Sequence, residues 1–462
     1  MTGHFLVAAP HKSSGKTTLT LGICAALTAR GRRVQPFKKG PDFIDPMWLG
    51  AASGRLCYNL DLQLMQADEI RRTFATRAAD ADFAVIEGNM GLFDSLDVEG
   101  TRSNAALAAL LGSPVVLVVD VRGMTRSVVP LLRGFQHFDP NIRIAGVILN
   151  KVAGTRHETR LREAVAHYTD LPVLGVVHRD ARLAIDERHL GLIPSNEEAE
   201  AQAVLQGVTA AVADYIDLDA LERLAATAAP MPRIQSSPGA PASGRPVRIG
   251  IARDRAFGFY YPDDLEALQA AGATLLPFDT LHDSHLPEVD ALFIGGGFPE
   301  TQMDALSANV SLRQAIRATI EDGLPVYAEC GGLMYLTRSI AWQGRRAEMV
   351  GIIPADTVMT DKPVGRGYTR LRTTGAAPWA PCPAGMAFDA HEFHYSHLEN
   401  VPAVLTYAYE VERGAGIDRA HDGIVYKNLL ANYAHLRHLH GSPWAGAFVD
   451  FVRRVRGLST TA

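Results

Sequence analysis

Leu324-Pro-Val-Tyr-Ala-Glu-Cys-Gly-Gly-Leu-Met-Tyr-Leu336 reads as a strand that turns sharply into a helix. Val326, Tyr327 and Ala328 form a buried apolar run, Cys330 falls at its end, and Gly331-Gly332 permits the turn into a helix beginning near Leu333. This is a nucleophile elbow built on cysteine. The thiol projects from a strained corner, the following backbone N–H can face a developing oxyanion, and the helix N-terminus favours thiolate. A structural cysteine beside a tight turn is the competing reading, and a partner histidine separates the two. His435, in Leu430-Ala-Asn-Tyr-Ala-His-Leu-Arg437, is available far downstream.

Outward from the elbow, Ala291-Leu-Phe-Ile-Gly-Gly-Gly-Phe-Pro-Glu300 reads as a second strand, ending in three glycines. Main-chain N–H groups there can converge on an anion, so Gly296 and Gly331 are the candidate oxyanion hole. Val247 to Ala252 reads as another strand, and Tyr261-Pro-Asp-Asp264 opens a helix through Ala271. Two histidine clusters, His391 to His397 and His435, His438 and His440, have no zinc-type spacing with cysteine, and His391-Glu-Phe-His-Tyr alternates like a strand. A class I amidotransferase carries a carboxylate two residues after its catalytic histidine. Arg437 stands there, so His435 is oriented by another group or works with Cys330 as a dyad.

The N-terminal half repeats strand, loop and helix. Phe5 to Ala9 is a strand, His11-Lys-Ser-Ser-Gly-Lys-Thr-Thr18 a loop, and Leu19 to Arg30 an amphipathic helix. The context is that of a phosphate-binding loop. Ser13, Ser14, Gly15, Lys16, Thr17 and Thr18 would wrap ATP phosphates, with Lys16 on the β/γ oxygens and Thr17 on Mg²⁺. Pro10 occupies the place of the usual first glycine. A strand over Arg33 to Phe37 leads into Lys38-Lys-Gly-Pro-Asp-Phe-Ile-Asp-Pro46, where Asp42 and Asp45 sit beyond a strand end beside Lys38. Turn chemistry explains Asp42 on its own, whereas the cluster points to function.

Phe83-Ala-Val-Ile-Glu-Gly-Asn-Met-Gly-Leu-Phe-Asp94 follows the same design. Glu87 is a candidate Mg²⁺ carboxylate, so Thr17, Asp45 and Glu87 form the expected metal set. Strands over 114–120, 144–150 and 172–177 alternate with helical patterns such as Asn104 to Leu111, and helical sequence runs on to about Ala229. The alternation predicts a parallel sheet with helices on both faces. Asn150-Lys151, at a strand end, is either a base contact or a polar turn. Pro230 to Pro246 is a Pro/Gly/Ser/Ala-rich tether. The expected organisation is α/β with two doubly wound domains, 1–229 and 247–462, joined by a linker at 230–246.

Composition agrees with an enzyme of this size. The 462 residues carry 45 basic and 50 acidic side chains for a net charge of −5, so no basic excess awaits a nucleic acid backbone. Four cysteines without paired spacing suggest a reducing compartment. The start lacks a positive n-region and no apolar stretch reaches membrane-spanning length, which together give a cytoplasmic expectation.

The chain resembles, along nearly its whole length, the cobyrinic acid a,c-diamide synthases, a P-loop amidoligase domain joined to a glutamine amidotransferase domain of the cobyric acid synthase type. The resemblance rests on Gln35-Pro-Phe-Lys38 with Gly40 to Pro46, Asn59-Leu-Asp61, Ile86-Glu-Gly88 with Met90 to Asp94, Gly134 to Pro140, Glu187 to Gly191, Phe259 to Asp263, Tyr327 to Tyr335 and His391 to Ser396. It implies that Cys330 is the glutaminase nucleophile and His435 its base. Lys16, Thr17, Asp45, Glu87 and Asp94 would serve ATP, magnesium and the activated carboxylate, with Asp42 beside them and Lys38 and Asn150 on the nucleotide. The family also lacks the usual third carboxylate. Partners are then glutamine and a tetrapyrrole carboxylate, without nucleic acid or membrane, and a homodimer is compatible with the motifs. His11-Lys-Ser-Ser14 and Gly365-Arg-Gly-Tyr-Thr369 look like the branch that amidates siroheme, which makes siroheme or sirohydrochlorin the alternative substrate to cobyrinic or hydrogenobyrinic acid. A reading of a different class is a P-loop switch ATPase with an inactive amidotransferase domain.

Overall fold

A computed structural model describes residues 2–185, 187–188, 191–192, 194–195, 201–230 and 245–458, arranged as two compact units, Met1–Ser237 and Pro238–Ala462. Most of the 230–246 tether and part of the Glu187 to Gly191 stretch lie outside the described residues.

The first unit is built on a seven-stranded sheet in the order β3-β2-β4-β1-β5-β6-β7. Its strands are β1 (Gly3–Ala8), β2 (Val34–Lys39), β3 (Tyr58–Leu60), β4 (Phe83–Glu87), β5 (Val115–Asp120), β6 (Ile144–Val152) and β7 (Val173–His178). All six pairings are parallel. Runs such as Val115-Val-Leu-Val-Val119 are buried throughout because helices cover both faces. The order reverses at β1, which has β4 on one side and β5 on the other, so the loop after β1 opens at the switch point of the sheet. Lys38, Glu87, Asp120 and Asn150 all lie at carboxyl ends of strands around that loop. The helical sequence expected up to Ala229 is interrupted. After β7 come a short 3-10 turn, Ala181–Leu183, and a two-residue pairing of Glu187–Arg188 with Gly191–Leu192, before helices Ala201–Tyr215 and Leu218–Ala225.

The second unit has a nine-stranded mixed sheet. Five strands are parallel and doubly wound, in the order Ala273–Phe278, Val247–Ala252, Ala291–Ile294, Val326–Glu329, Leu429–Asn432. His421–Tyr426, Thr406–Arg413, Gly365–Thr373 and Ala387–His394 extend it antiparallel. A further four-stranded sheet is made of Arg345–Glu348, Thr337–Trp342, Ile353–Met359 and Ser396–Glu399. Among the described residues no helix is long and apolar enough to cross a membrane.

Two apolar layers clamp the central strands. Leu292, Ile294, Val326 and Ala328 face one layer with Leu312 and Ile316, while Phe293 and Tyr327 face the other. The second layer is aromatic: Tyr327 stacks on Phe293 with centroids 5.1 Å apart and meets Trp379 and Trp444 edge-on or tilted at 5.0 and 5.1 Å. Such pairs hold the strands that end at the elbow. The turn itself depends on bare backbone. A Cβ on Gly332 would lie 2.1 Å from the Ile294 carbonyl oxygen, a contact that no side-chain rotation relieves.

Gly332→Ala is therefore expected to destabilise the second unit by about 2 kcal/mol or more, as overpacking against backbone does. Gly446→Ala, in the helix Trp444–Arg456 where an added Cβ meets nothing within 4 Å, should be neutral or stabilising by up to about 1 kcal/mol. Urea denaturation of the two variants checks the contrast.

Candidate active sites

The nucleophile in the second unit is set by two neighbouring parallel strands. Val326–Glu329 pairs with Leu429–Asn432, Glu329 opposite Asn432, and the ladder continues one step as Cys330 N donates to the Asn432 carbonyl at 2.7 Å. Cys330 then turns out with φ 48° and ψ −101°, a conformation strained for a residue with a Cβ. The helix Gly331–Leu336 follows at once. His435 lies just past the end of the partner strand. Its backbone is pinned to His391 by reciprocal hydrogen bonds, His435 N to His391 O at 2.7 Å and His391 N to His435 O at 3.4 Å. Its ring lies against Gly296, where a Cβ would stand 2.5 Å from Cε1. Burial disfavours the imidazolium, but hydrogen bonds to the Cys330 thiol and the Glu329 carboxylate outweigh it and raise the His435 pKa to about 10. The pair is thus arranged as a nucleophile and its proton carrier.

Two groups near the thiol escaped the sequence reading. Glu329 Oε2 lies 3.3 Å from His435 Nδ1, both side chains being almost fully buried. The carboxylate that faces the histidine thus precedes the nucleophile on its own strand. A buried acid ending an apolar strand was the available signal. Gly297 is the second: a Cβ on Gly331 would be 3.0 Å from Gly297 N, which places the Gly297 amide beside the elbow, whereas Gly296 supplies clearance for the histidine ring. Arg437, at the usual carboxylate position, instead pairs with Asp263 at 2.8 Å and lies 4.9 Å over the Tyr261 ring. The other histidines go elsewhere. His394 stacks on Tyr433 at 3.9 Å, and His438 Nδ1 accepts from Ala445 N.

In the first unit the loop after β1 curls through Ser13 (φ 62°) and Gly15 (φ 90°) into the helix Lys16–Ala29, which starts earlier than Leu19. Gly15 has positive φ and a Cβ there would meet Asn150 Nδ2 at 2.3 Å, so both conformation and space require glycine. Asn150 Nδ2 donates to Ser14 O at 2.8 Å and Lys151 Nζ to Ser13 O at 2.9 Å. These two side chains, read from sequence as a base contact or a plain turn, buttress the phosphate loop. Ser14 Oγ closes the curl onto His11 O at 2.9 Å, and Thr18 lies half-buried in the first helical turn. Lys16 Nζ donates to Met90 O at 2.7 Å, and burial lowers its pKa to about 8 although Glu87 opposes the shift.

Thr17 Oγ1 donates to Glu87 Oε1 at 2.5 Å and lies 3.4 Å from Asp45 Oδ2. The three residues expected to hold a metal therefore converge. Lys38 Nζ lies among the same acids, 2.5 Å from Asp45 Oδ2, 3.1 Å from Glu87 Oε1 and 3.7 Å from Asp42 Oδ2. Burial opposes the Lys38 charge, but Asp45 and Glu87 hold it protonated well above the ordinary lysine value. Burial conversely raises the Glu87 pKa, with Lys38 acting against it. Lys38 thus serves as counter-charge to the acids rather than as an open ligand for nucleotide. Asp42 Oδ1 accepts from Ile44 N and Asp45 N, capping the turn that aims Asp45, as turn chemistry alone predicted. Asp94 Oδ2 accepts from Gly91 N in the loop after β4. An all-oxygen set of one hydroxyl and two carboxylates suits a hard divalent cation, and Glu87 Oε2 is buried without a donor, a vacant valence that such an ion fits. Among the described residues no group of three His, Cys, Asp or Glu side chains is placed to hold a metal, and the third oxygen of this set comes from Thr17.

Comparison with known proteins assigns each unit to a domain family. Residues 5–193 match the CobQ/CobB/MinD/ParA nucleotide binding domain, and residues 248–443 match the CobB/CobQ-like glutamine amidotransferase domain. The cobyrinate a,c-diamide synthase of Magnetococcus marinus is 48% identical, the match covering 97% of this chain and 96% of that protein. Those named alike from Syntrophotalea carbinolica and Methanosarcina acetivorans are 41% and 38% identical, over 97% and 98% of this chain and 98% and 95% of theirs. With these matches running through both units, the chain belongs to the cobyrinate a,c-diamide synthase family.

Proposed function

We propose that this chain amidates peripheral acetate carboxylates of cobyrinic or hydrogenobyrinic acid, at the a and c positions, with ATP as the activating substrate and glutamine as the nitrogen donor. The observation that carries the reading is the coexistence on one chain of the Cys330–His435 elbow and the Lys16–Thr17–Asp45–Glu87 convergence. Ammonia freed from glutamine needs an activated carboxylate to capture it. The cobyrinate names of the relatives supply the macrocycle. The siroheme alternative, drawn from residues 11–14 and 365–369, finds no support among them. Gly365–Thr373 is a strand of the second unit, where a Cβ on Gly365 would strike His394 Nε2 at 2.3 Å, so its sequence answers to packing. The switch reading requires a retired amidotransferase domain, and the strained elbow with its histidine is intact.

In the second unit the Cys330 sulfur attacks the carboxamide carbon of glutamine, and the oxyanion faces the amides of Gly331 and Gly297. His435 gives its proton to the departing nitrogen as the C–N bond breaks. Water, activated by the neutral imidazole, then cleaves the thioester to glutamate and restores the thiolate. In the first unit an acetate oxygen takes the γ-phosphoryl group of ATP. Lys16 neutralises charge on the transferring group, and the loop amides hold the phosphates. Mg²⁺ held by Thr17, Asp45 and Glu87 would supply further neutralisation of the phosphate oxygens. Ammonia displaces phosphate from the acyl phosphate and leaves the amide. The four free cysteines support a cytoplasmic setting, where Cys330 stays reduced.

Product mass spectrometry with cobyrinic acid, hydrogenobyrinic acid and siroheme offered side by side tests the substrate, and diamide from siroheme alone would overturn it. Cys330→Ser should lower glutamine-dependent amidation by at least about a thousandfold while leaving synthesis from high ammonium. Lys16→Ala should raise the synthetase barrier by about 3 kcal/mol or more with either nitrogen donor, read as product formed per enzyme, and should spare part of the glutaminase. Glu87→Gln should weaken nucleotide binding measured in the presence of Mg²⁺ more than Asp45→Asn does, whereas Asp45→Asn should depress amide formation out of proportion to its loss of binding.

A further inference from the structure

We infer that Glu329 is the positioning carboxylate of the glutaminase site, fixing the ring and proton of His435 from the strand that also bears the nucleophile, with Tyr327 setting its strength. The usual place for such a group, two residues after the histidine, is held by Arg437, whose guanidinium is engaged with Asp263. Glu329 replaces it by geometry. Val326–Glu329 is extended, so residues two apart share a face, and the Tyr327 hydroxyl donates to Glu329 Oε1. Leu436 N donates to the same oxygen at 2.8 Å, tying the carboxylate to the backbone that follows His435. Oε2 is left for His435 Nδ1 at 3.3 Å. With Nδ1 facing an anion, the imidazole presents its other nitrogen towards Cys330, the arrangement that a base needs to return a proton to departing ammonia.

The charged surroundings are few. Cys330 and Glu329 come from the elbow strand, His391 from Ala387–His394, and Asp263 and Asp264 from the helix Pro262–Ala270, with Arg437 between. His391 is driven neutral by burial and by His435, its pKa falling to about 3, so it adds no charge. Burial and Asp263 keep the Asp264 carboxyl protonated well above the usual range. Glu329 is thus the carboxylate in contact with His435. It acts through the histidine, and its two other hydrogen bonds tune how strongly it holds the imidazolium.

The test is the pH dependence of glutamine hydrolysis by the full chain. Removing the anion disfavours the imidazolium, so in Glu329→Gln the alkaline limb of kcat/KM should move to lower pH by about one unit, and kcat should fall by about a hundredfold with KM for glutamine little changed. Removing a donor from the carboxylate strengthens its pull on the proton, so in Tyr327→Phe the limb should move the other way. Glu329→Asp should restore part of the lost rate. A role confined to packing would lower stability in both variants and move neither limb. Unmoved limbs, or glutaminase in Glu329→Gln within twofold of the parent, would overturn the inference, and should Glu329→Gln not fold, Tyr327→Phe decides. The inference rests on the glutaminase reading, and a parent chain without glutaminase would fail that reading instead.

Discussion

The hydrogen bond from Cys330 N to the Asn432 carbonyl is the point on which the second unit turns. It extends the parallel ladder by one residue beyond the last paired position and then stops, because Cys330 has already rotated to positive φ. A strained conformation of this kind costs on the order of 1–3 kcal/mol and persists only when its surroundings over-determine it. Here they do so from three sides. Aromatic packing holds Tyr327 below, backbone contact through Gly332 closes the turn above, and the neighbouring strand supplies the acceptor. The same neighbour, three residues on, delivers His435. Nucleophile and base thus share one ladder, so their spacing is a property of the sheet rather than of two independent loops.

The first unit solves a different problem, which is how to gather anions before any cation arrives. Asp42, Asp45 and Glu87 lie at the mouth of a low-dielectric sheet, and Glu87 is fully buried. Unpaired, such carboxylates would take up protons. Lys38, from the end of β2, opposes that uptake at Asp42 and Glu87, while Thr17 and the backbone amides near Asp42 orient the acids. Both units therefore use one device: a buried charge is stabilised by the opposite charge at a neighbouring strand end, and each is poised for a partner that comes from solution.

Much of this was legible in the residues. Apolar runs ending in glycine, acid or lysine marked most of the parallel strands, though not Tyr58–Leu60, Ala273–Phe278 or Leu429–Asn432, and Gly15-Lys-Thr17 and Glu-Cys-Gly-Gly marked the two turns where function sits. What escaped detection had physical reasons. The antiparallel extension of the second sheet and the separate four-stranded sheet consist of mixed-polarity strands whose partners are set by long-range packing, not by local period. Glu329 lies 106 positions before the histidine in the chain, and only the strand pairing brings residue 329 to residue 435. Gly296 and Gly297 are equivalent in a sequence, and only the coordinates separate the one against the His435 ring from the one whose amide lies beside Gly331. Asn150 and Lys151 were found at the right strand end, yet their reach onto the carbonyls of Ser14 and Ser13 required coordinates.

The buried position of Lys38 has a consequence for how the protein meets a changing ionic environment. Because the ammonium travels with the chain, the acidic mouth of the sheet carries a counter-charge of its own from the moment the domain closes. With that counter-charge in place the unit leans less on a bound ion to fold than do small domains whose core is assembled around a metal.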